Sequence, residues 1–169
     1  STHLLSRIEY GLFGLIILAQ NNFYGRNLIA VPFCQTLKIV YTPLHGSGNI
    51  PVRRMLDEIG MKHVYVVKEQ ELPDGNFHTV PVPNPEDPRA FELALKMQQE
   101  LGADLCVGTD PDCDRVGIAC MTENGPKLLN GNQIGCILLH YILSQKMERG
   151  ELPANAAAVS TIVSTDMAK

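Results

Sequence analysis

Apolar residues along this chain change their spacing several times, and each change marks an element. Leu37 to Tyr41 is a short, mostly apolar run closed by Thr42-Pro43, the pattern of a strand. Beyond the glycine turn His45-Gly46-Ser47-Gly48, the residues Val52, Met55, Leu56 and Ile59 recur at helical spacing, and Gly60 stops that helix. His63 to Val67 is β-branched enough for a second strand. From Lys68 to Asp87 no period survives: Asp74-Gly75-Asn76 signals a turn, and Pro81, Pro83, Pro85 and Pro88 forbid regular structure. A loop that long inside a compact domain is often functional. Asp87-Pro88 opens a helix, with the carboxylate at the N-cap and proline at the first helical position, and Gly102 stops it after Leu101. Asp104 to Thr109 reads as a third strand and Arg115 to Met121 as a fourth, with Glu123-Asn124-Gly125 turning into Lys127 to Leu129. Asn130 caps a helix over residues 131–147 whose apolar face includes Ile134, Ile137, Leu138, Tyr141 and Ile142.

The two ends are read more coarsely. Apolar residues from Leu4 to Ala19 suit a helix, broken by Asn21-Asn22 and Gly25, and no chemistry attaches to that segment. After Gly150 and Pro153, a fresh apolar run from Ala156 to Val163 reads as another strand. Strand, helix, strand, helix, strand is the order of an α/β fold, here a layered α/β/α domain with a mixed sheet of about four strands. Ligands of such sheets gather outside the carboxyl ends of the strands. Both the His45-Gly46-Ser47-Gly48 loop and the stretch after Thr109 lie there, so they are expected to face one crevice.

Composition narrows the partners. With 169 residues, 45% of them hydrophobic, the chain can bury one ordinary core. A formal charge of −4 without any basic block argues against a nucleic-acid surface. The apolar stretch Leu12 to Ala19 is too short to span a membrane, and no signal peptide opens the chain, so no membrane partner is expected. Five cysteines, with no C-x-x-C pair and no histidine at zinc-ligand spacing, fit a reducing cytoplasm. Cys106 and Cys120 fall in strands, where a thiol acts as a small hydrophobe.

The chemistry concentrates in Gly108-Thr109-Asp110-Pro111-Asp112-Cys113-Asp114-Arg115. Aspartates stand at every second position, and in an extended backbone Asp110, Asp112 and Asp114 project to one side. Crowded carboxylates call for a cation, and oxygen-only ligands suit a hard ion such as magnesium. An EF-hand is excluded, because its sixth position needs glycine and its twelfth glutamate, where this chain has Arg115 and Met121. Two other readings stay open: a dehalogenase-like phosphatase with Asp110 as nucleophile, and a solvated turn. Arg115 is either a salt-bridge partner of the aspartates or a contact to a phosphoryl oxygen. The His45-Gly46-Ser47-Gly48 loop lacks the lysine of a Walker A loop, but exposed N–H groups at a helix start can hold a phosphate. His45 is either a hydrogen-bonded loop residue or a ligand contact.

Four stretches together resemble a known family. Tyr41-Thr42-Pro43-Leu44-His45-Gly46-Ser47-Gly48, then Pro73-Asp74-Gly75-Asn76-Phe77 with Pro83-Asn84-Pro85-Glu86, then Asp110 to Arg115, then Gly131-Asn132-Gln133 are similar in order and spacing to the second domain of phosphoglucomutase/phosphomannomutase enzymes, the α-D-phosphohexomutases. The resemblance implies residues 37–153 as the metal-binding domain II, residues 154–169 as the truncated start of domain III, and residues 1–36 as an N-terminal segment outside the match. It implies magnesium held by Asp110, Asp112 and Asp114, with Arg115 at the active-site cleft; Arg115 and His45 are the candidate contacts to a hexose phosphate substrate. Such enzymes interconvert hexose 1- and 6-phosphates through a phosphoserine and a bisphosphate. The Thr-x-Ser-His-Asn-Pro serine, the Glu-Glu-Ser-Gly sugar loop and the Arg-Ser-Gly-Thr phosphate loop do not occur in this sequence. The resemblance therefore implies a site completed by the remaining mutase domains, a chain inactive alone, and self-association through faces that those domains cover. The alternative class is a non-catalytic binding or assembly module.

Overall fold

The computed structural model describes residues 36–159 together with Thr161, Ser164 and Thr165. The helix expected over Leu4 to Ala19 lies outside the described residues. Strand β1 (Lys38–Thr42) leads through a tight loop into helix α1 (Asn49–Glu58) and strand β2 (His63–Val66). A long connection ends in a 3-10 turn, Pro88–Phe91, that runs directly into helix α2 (Glu92–Leu101). Strands β3 (Leu105–Thr109), β4 (Val116–Thr122) and β5 (Gly125–Leu129) follow, and helix α3 (Gly131–Glu148) closes the set.

The strands form one sheet in the order β2-β1-β3-β4-β5, five rather than about four. The extra strand arises because the turn at Glu123-Asn124 is tight enough for Gly125 to pair with Thr122, so Lys127 to Leu129 becomes the end of a full ladder. β1 pairs in parallel with both β2 and β3, whereas β3–β4 and β4–β5 are antiparallel hairpins. Ala156 to Val159, expected to start a strand, have no regular structure.

Period-two alternation divides the core between the two faces. Ile39, Tyr41, Leu105, Val107, Ile118 and Cys120 pack with Leu56 of α1 and Ile134 of α3. Val40, Cys106 and Ala119 face the other way, against Phe91 and Ala94 at the start of α2. Both cysteines thus behave as the small hydrophobes expected of them. Full burial of a Leu, Ile or Phe side chain stabilises by roughly 1.5–3 kcal/mol, so these two layers supply the main driving force for the fold.

Two glycines thin the sheet on the α2 face. Gly108 and Gly117 are directly paired across β3 and β4. A Cβ at Gly108 would lie 2.8 Å from the Phe91 ring, and one at Gly117 only 2.0 Å from the Pro85 carbonyl oxygen. The segment 85–91 therefore crosses the sheet at backbone contact. Ahead of it, Leu44, Val80, Ala90 and Phe77 form a small core beneath the long connection.

The chain runs from β1 outward to β2, then returns to place β3 on the other side of β1. Adjacent strands whose connections leave in opposite directions open a crevice at their carboxyl ends. Here that crevice lies between the loop after Thr42 and the loop after Thr109.

Candidate metal centre

Thr109 and Val116 are the last paired residues of β3 and β4, so Asp110 to Arg115 form the hairpin loop between them. The loop is not extended, as its alternate spacing suggested. The antiparallel return of β4 requires a reversal. It is made by a turn in which the Cys113 amide donates to the Asp110 carbonyl (3.0 Å) and Cys113 takes the left-handed conformation, φ 62°. The aspartates converge nonetheless. One carboxylate oxygen from each of Asp110, Asp112 and Asp114 lies within 4.8 Å of the other two.

Their surroundings differ. The Asp110 side chain is fully buried, and it accepts from the Arg115 backbone amide at 2.9 Å and from Arg115 Nε at 2.7 Å. Burial works to raise its pKa, but the amide and guanidinium of Arg115 outweigh burial and hold the carboxyl below its ordinary range. Asp112 and Asp114 are exposed. The Asp112 charge, and next the hydrogen bond with Asp110, push Asp114 upward, the mark of negative charges crowded together. Arg115 Nε reaches Asp114 only at 3.8 Å. One carboxylate is thus buried and anchored while two are exposed.

Donor type and spacing fit a hard divalent ion. Oxygens around an octahedral ion with bonds of about 2.1 Å lie about 3–4 Å apart, so a small inward movement of Asp112 and Asp114 closes the set. A nucleophilic Asp110 fits less well, because both its oxygens are engaged by Arg115 inside the protein.

The neighbouring loop carries the aspartate loop from below. Gly46 leaves no room for a side chain, since a Cβ there would stand 2.4 Å from Pro111 Cα. Ser47 donates to the Pro111 carbonyl twice, from its amide at 2.8 Å and its hydroxyl at 3.1 Å. Of the two readings of this loop, a phosphate cradle or a tight strand-to-helix turn, its hydrogen bonds match the turn. His45 N donates to the Gln70 carbonyl, Gly46 N to the Pro43 carbonyl and Ser47 N to the Pro111 carbonyl. These N–H groups are spent on the fold. Against Gly48, Tyr41 and Thr109 share a buried hydroxyl hydrogen bond of 2.9 Å, and burial pushes the Tyr41 phenol up to about 12.

His45 is buried beneath the long connection. Its Nδ1 is 3.0 Å from the Leu72 carbonyl and its Nε2 is 2.7 Å from Thr79 Oγ1, while the Phe77 ring meets it edge-on. Both ring nitrogens have protein partners. Gln70 and Thr79 carried no sequence signal, because nothing in a proline-rich loop marks which polar residue turns inward. Glu86 was visible only as part of a motif. Its carboxylate accepts from the Gly131 amide at 2.7 Å, joining the Pro83 to Glu86 stretch to the start of α3.

Residues 29–125, more than half of the chain, match the family model described as phosphoglucomutase/phosphomannomutase, alpha/beta/alpha domain II. This chain belongs to that family. Phosphoglucomutases of Staphylococcus aureus strains RF122 / ET3-1 and USA300 are 36% identical to it over 145 residues, 85% of this chain and 26% of theirs. The chain thus spans about a quarter of the length of these phosphoglucomutases. A solved phosphoglucomutase/phosphomannomutase family protein from Burkholderia thailandensis shares the fold, with a TM-score of 0.51 at 22% identity over 65% of this chain and 22% of that one. The three-layer architecture and the mixed sheet are those of a phosphoglucomutase/phosphomannomutase domain II.

Proposed function

We propose that the chain is the metal-holding domain of a phosphohexomutase, and that magnesium is the ion held by Asp110, Asp112 and Asp114. The observation that supports this most directly is the convergence of three carboxylate oxygens within 4.8 Å at the carboxyl end of β3. Asp110 supplies the fixed ligand, its orientation set by Arg115. Asp112 and Asp114 supply the adjustable ones. A divalent ion held there brings positive charge beside a transferring phosphoryl group. Arg115 bonds Asp110 through Nε and its backbone amide, which leaves its terminal amino groups to grip two phosphoryl oxygens in a forked contact. In this reading the substrate is a hexose 1- or 6-phosphate. The phosphoserine, the sugar contacts and the second phosphate site come from the remaining mutase domains.

The proposed limits of the domain are residues 37–153, with residues 154–169 beginning the next domain. The proposed compartment is the cytoplasm, where a reducing medium keeps thiols such as Cys106 and Cys113 free. The sequence lacks the Thr-x-Ser-His-Asn-Pro serine, and the expectation for the chain alone is no mutase turnover.

Titrating the 169-residue chain with magnesium in a calorimeter, with Asp112→Asn as control, tests the metal assignment. Binding heat in the native chain and its loss in Asp112→Asn are expected. Equal heats from both would sink it. Hydrolysis of p-nitrophenyl phosphate by the native chain, abolished by Asp110→Asn, would instead favour the phosphatase.

A further inference from the structure

On the reading that the three aspartates hold a divalent ion, we infer that His45 is a positioning residue for that centre, acting through Gly46 and Ser47 on Pro111. Leu44 and His45 are consecutive non-glycine residues in the left-handed region, φ 45° and 62°. That conformation is strained for a residue other than glycine and persists only where surroundings over-determine it. The His45 side chain supplies the restraint. A carbonyl can only accept, so Nδ1 carries the proton donated to the Leu72 oxygen. In the neutral ring Nε2 then accepts from the Thr79 hydroxyl. Thr79 Oγ1 in turn accepts from Gln70 Nε2 at 3.2 Å, and Gln70 Oε1 accepts from the buried Thr42 hydroxyl at 2.6 Å. Each polar atom of the ring and of its partners is paired in this network, which holds the ring in place.

The consequence reaches the aspartates through the backbone. The left-handed pair turns the chain so that Gly46 lies flat against Pro111 and Ser47 aims two donors at its carbonyl. Pro111 separates the anchored Asp110 from Asp112. Holding Pro111 sets how far the two exposed carboxylates stand from the buried one. A residue with no contact to the ion or the substrate thereby controls how well the ligand set is formed in advance.

The test uses the full 169-residue chain and a substitution remote from the aspartates, Thr79→Val. Two quantities are measured: magnesium affinity by calorimetry and hydrogen exchange of the Ser47 amide by NMR. Outer partners of metal ligands cost roughly 10–100-fold in affinity when removed, and the indirect route here places the expected loss near the lower figure, about 10-fold. Ser47 exchange is expected to rise by a similar factor. In the double variant Thr79→Val with Ser47→Ala, the loss of affinity is expected to be smaller than the product of the two single losses, because both act on Pro111. Unchanged affinity and exchange alongside a lowered melting temperature would show a purely structural residue and overturn the inference. A full product of the two losses would overturn it as well. If Thr79→Val does not fold, His45→Asn replaces it. Asparagine tolerates the left-handed backbone but cannot reach Thr79, and the same two outcomes apply. Should the native chain bind no magnesium, the metal assignment fails, and Ser47 exchange alone decides for or against His45.

Discussion

A carboxylate with no exposed surface is carried at position 110 by one arginine that is itself half in solvent, 55% exposed. The asymmetry decides what a substitution does. Arg115→Gln leaves the backbone amide in place but strips the guanidinium from a buried acceptor, a loss of about 1–3 kcal/mol. A lowered urea midpoint at unchanged slope is the expected result, and an unshifted midpoint would show that water replaces the guanidinium freely. The same residue shows how far a sequence carries. Three aspartates at alternate positions imply convergence along an extended backbone, and they do converge, but a turn with Cys113 left-handed brings them together. Spacing was legible, and the backbone path was not, because a hairpin between paired strands has no signature in a loop lacking glycine at its turn.

Local chemistry set the ends of the elements, and these were readable. Gly102 takes the left-handed cap of α2 at φ 57°, and Asn130 forms a capping box with Gln133 at the start of α3. The start of α2 differs in detail. Asp87 caps through the Arg89 amide as its sequence implies, but the first turn is 3-10 and delivers Phe91 onto Gly108, a tertiary contact that no cap announces. The long connection holds its own turn. There the Asn76 amide first, and then the His78 side chain, hold the Asp74 carboxyl down to about 2. A carboxyl in an unfolded chain titrates near 3.9, so the folded loop favours the ionised form. Its contribution is fully present above about pH 4 and is lost as pH falls through about 2. Stability measured between those values is expected to fall less steeply in Asp74→Asn than in the native chain. Identical slopes would remove Asp74 from the acid response.

Across the whole molecule, element order was legible while pairing was not. Nothing local says that β3 inserts beside β1, or that Gly46 meets Pro111 far along the chain. The surface carries one more consequence of this plan. Ile50 and Leu72 are 76% and 71% exposed, and the Asn49 side chain ties their segments together through the Glu71 carbonyl at 2.9 Å. Apolar residues left open beside a crevice favour association, so sedimentation velocity at rising concentration is expected to show dimers or larger species. A single monomeric boundary throughout would count against that.

The glycine pair beneath segment 85–91 bears on how such a chain can drift over generations. A methyl group at Gly117 would strike the Pro85 oxygen at 2.0 Å, whereas one at Gly75, in the same long connection, would meet nothing within 4 Å. The connection therefore has room for a side chain at Gly75 while its crossing point admits no added atom. Heredity is left free to dress the tip of this bridge and is barred from raising its pier.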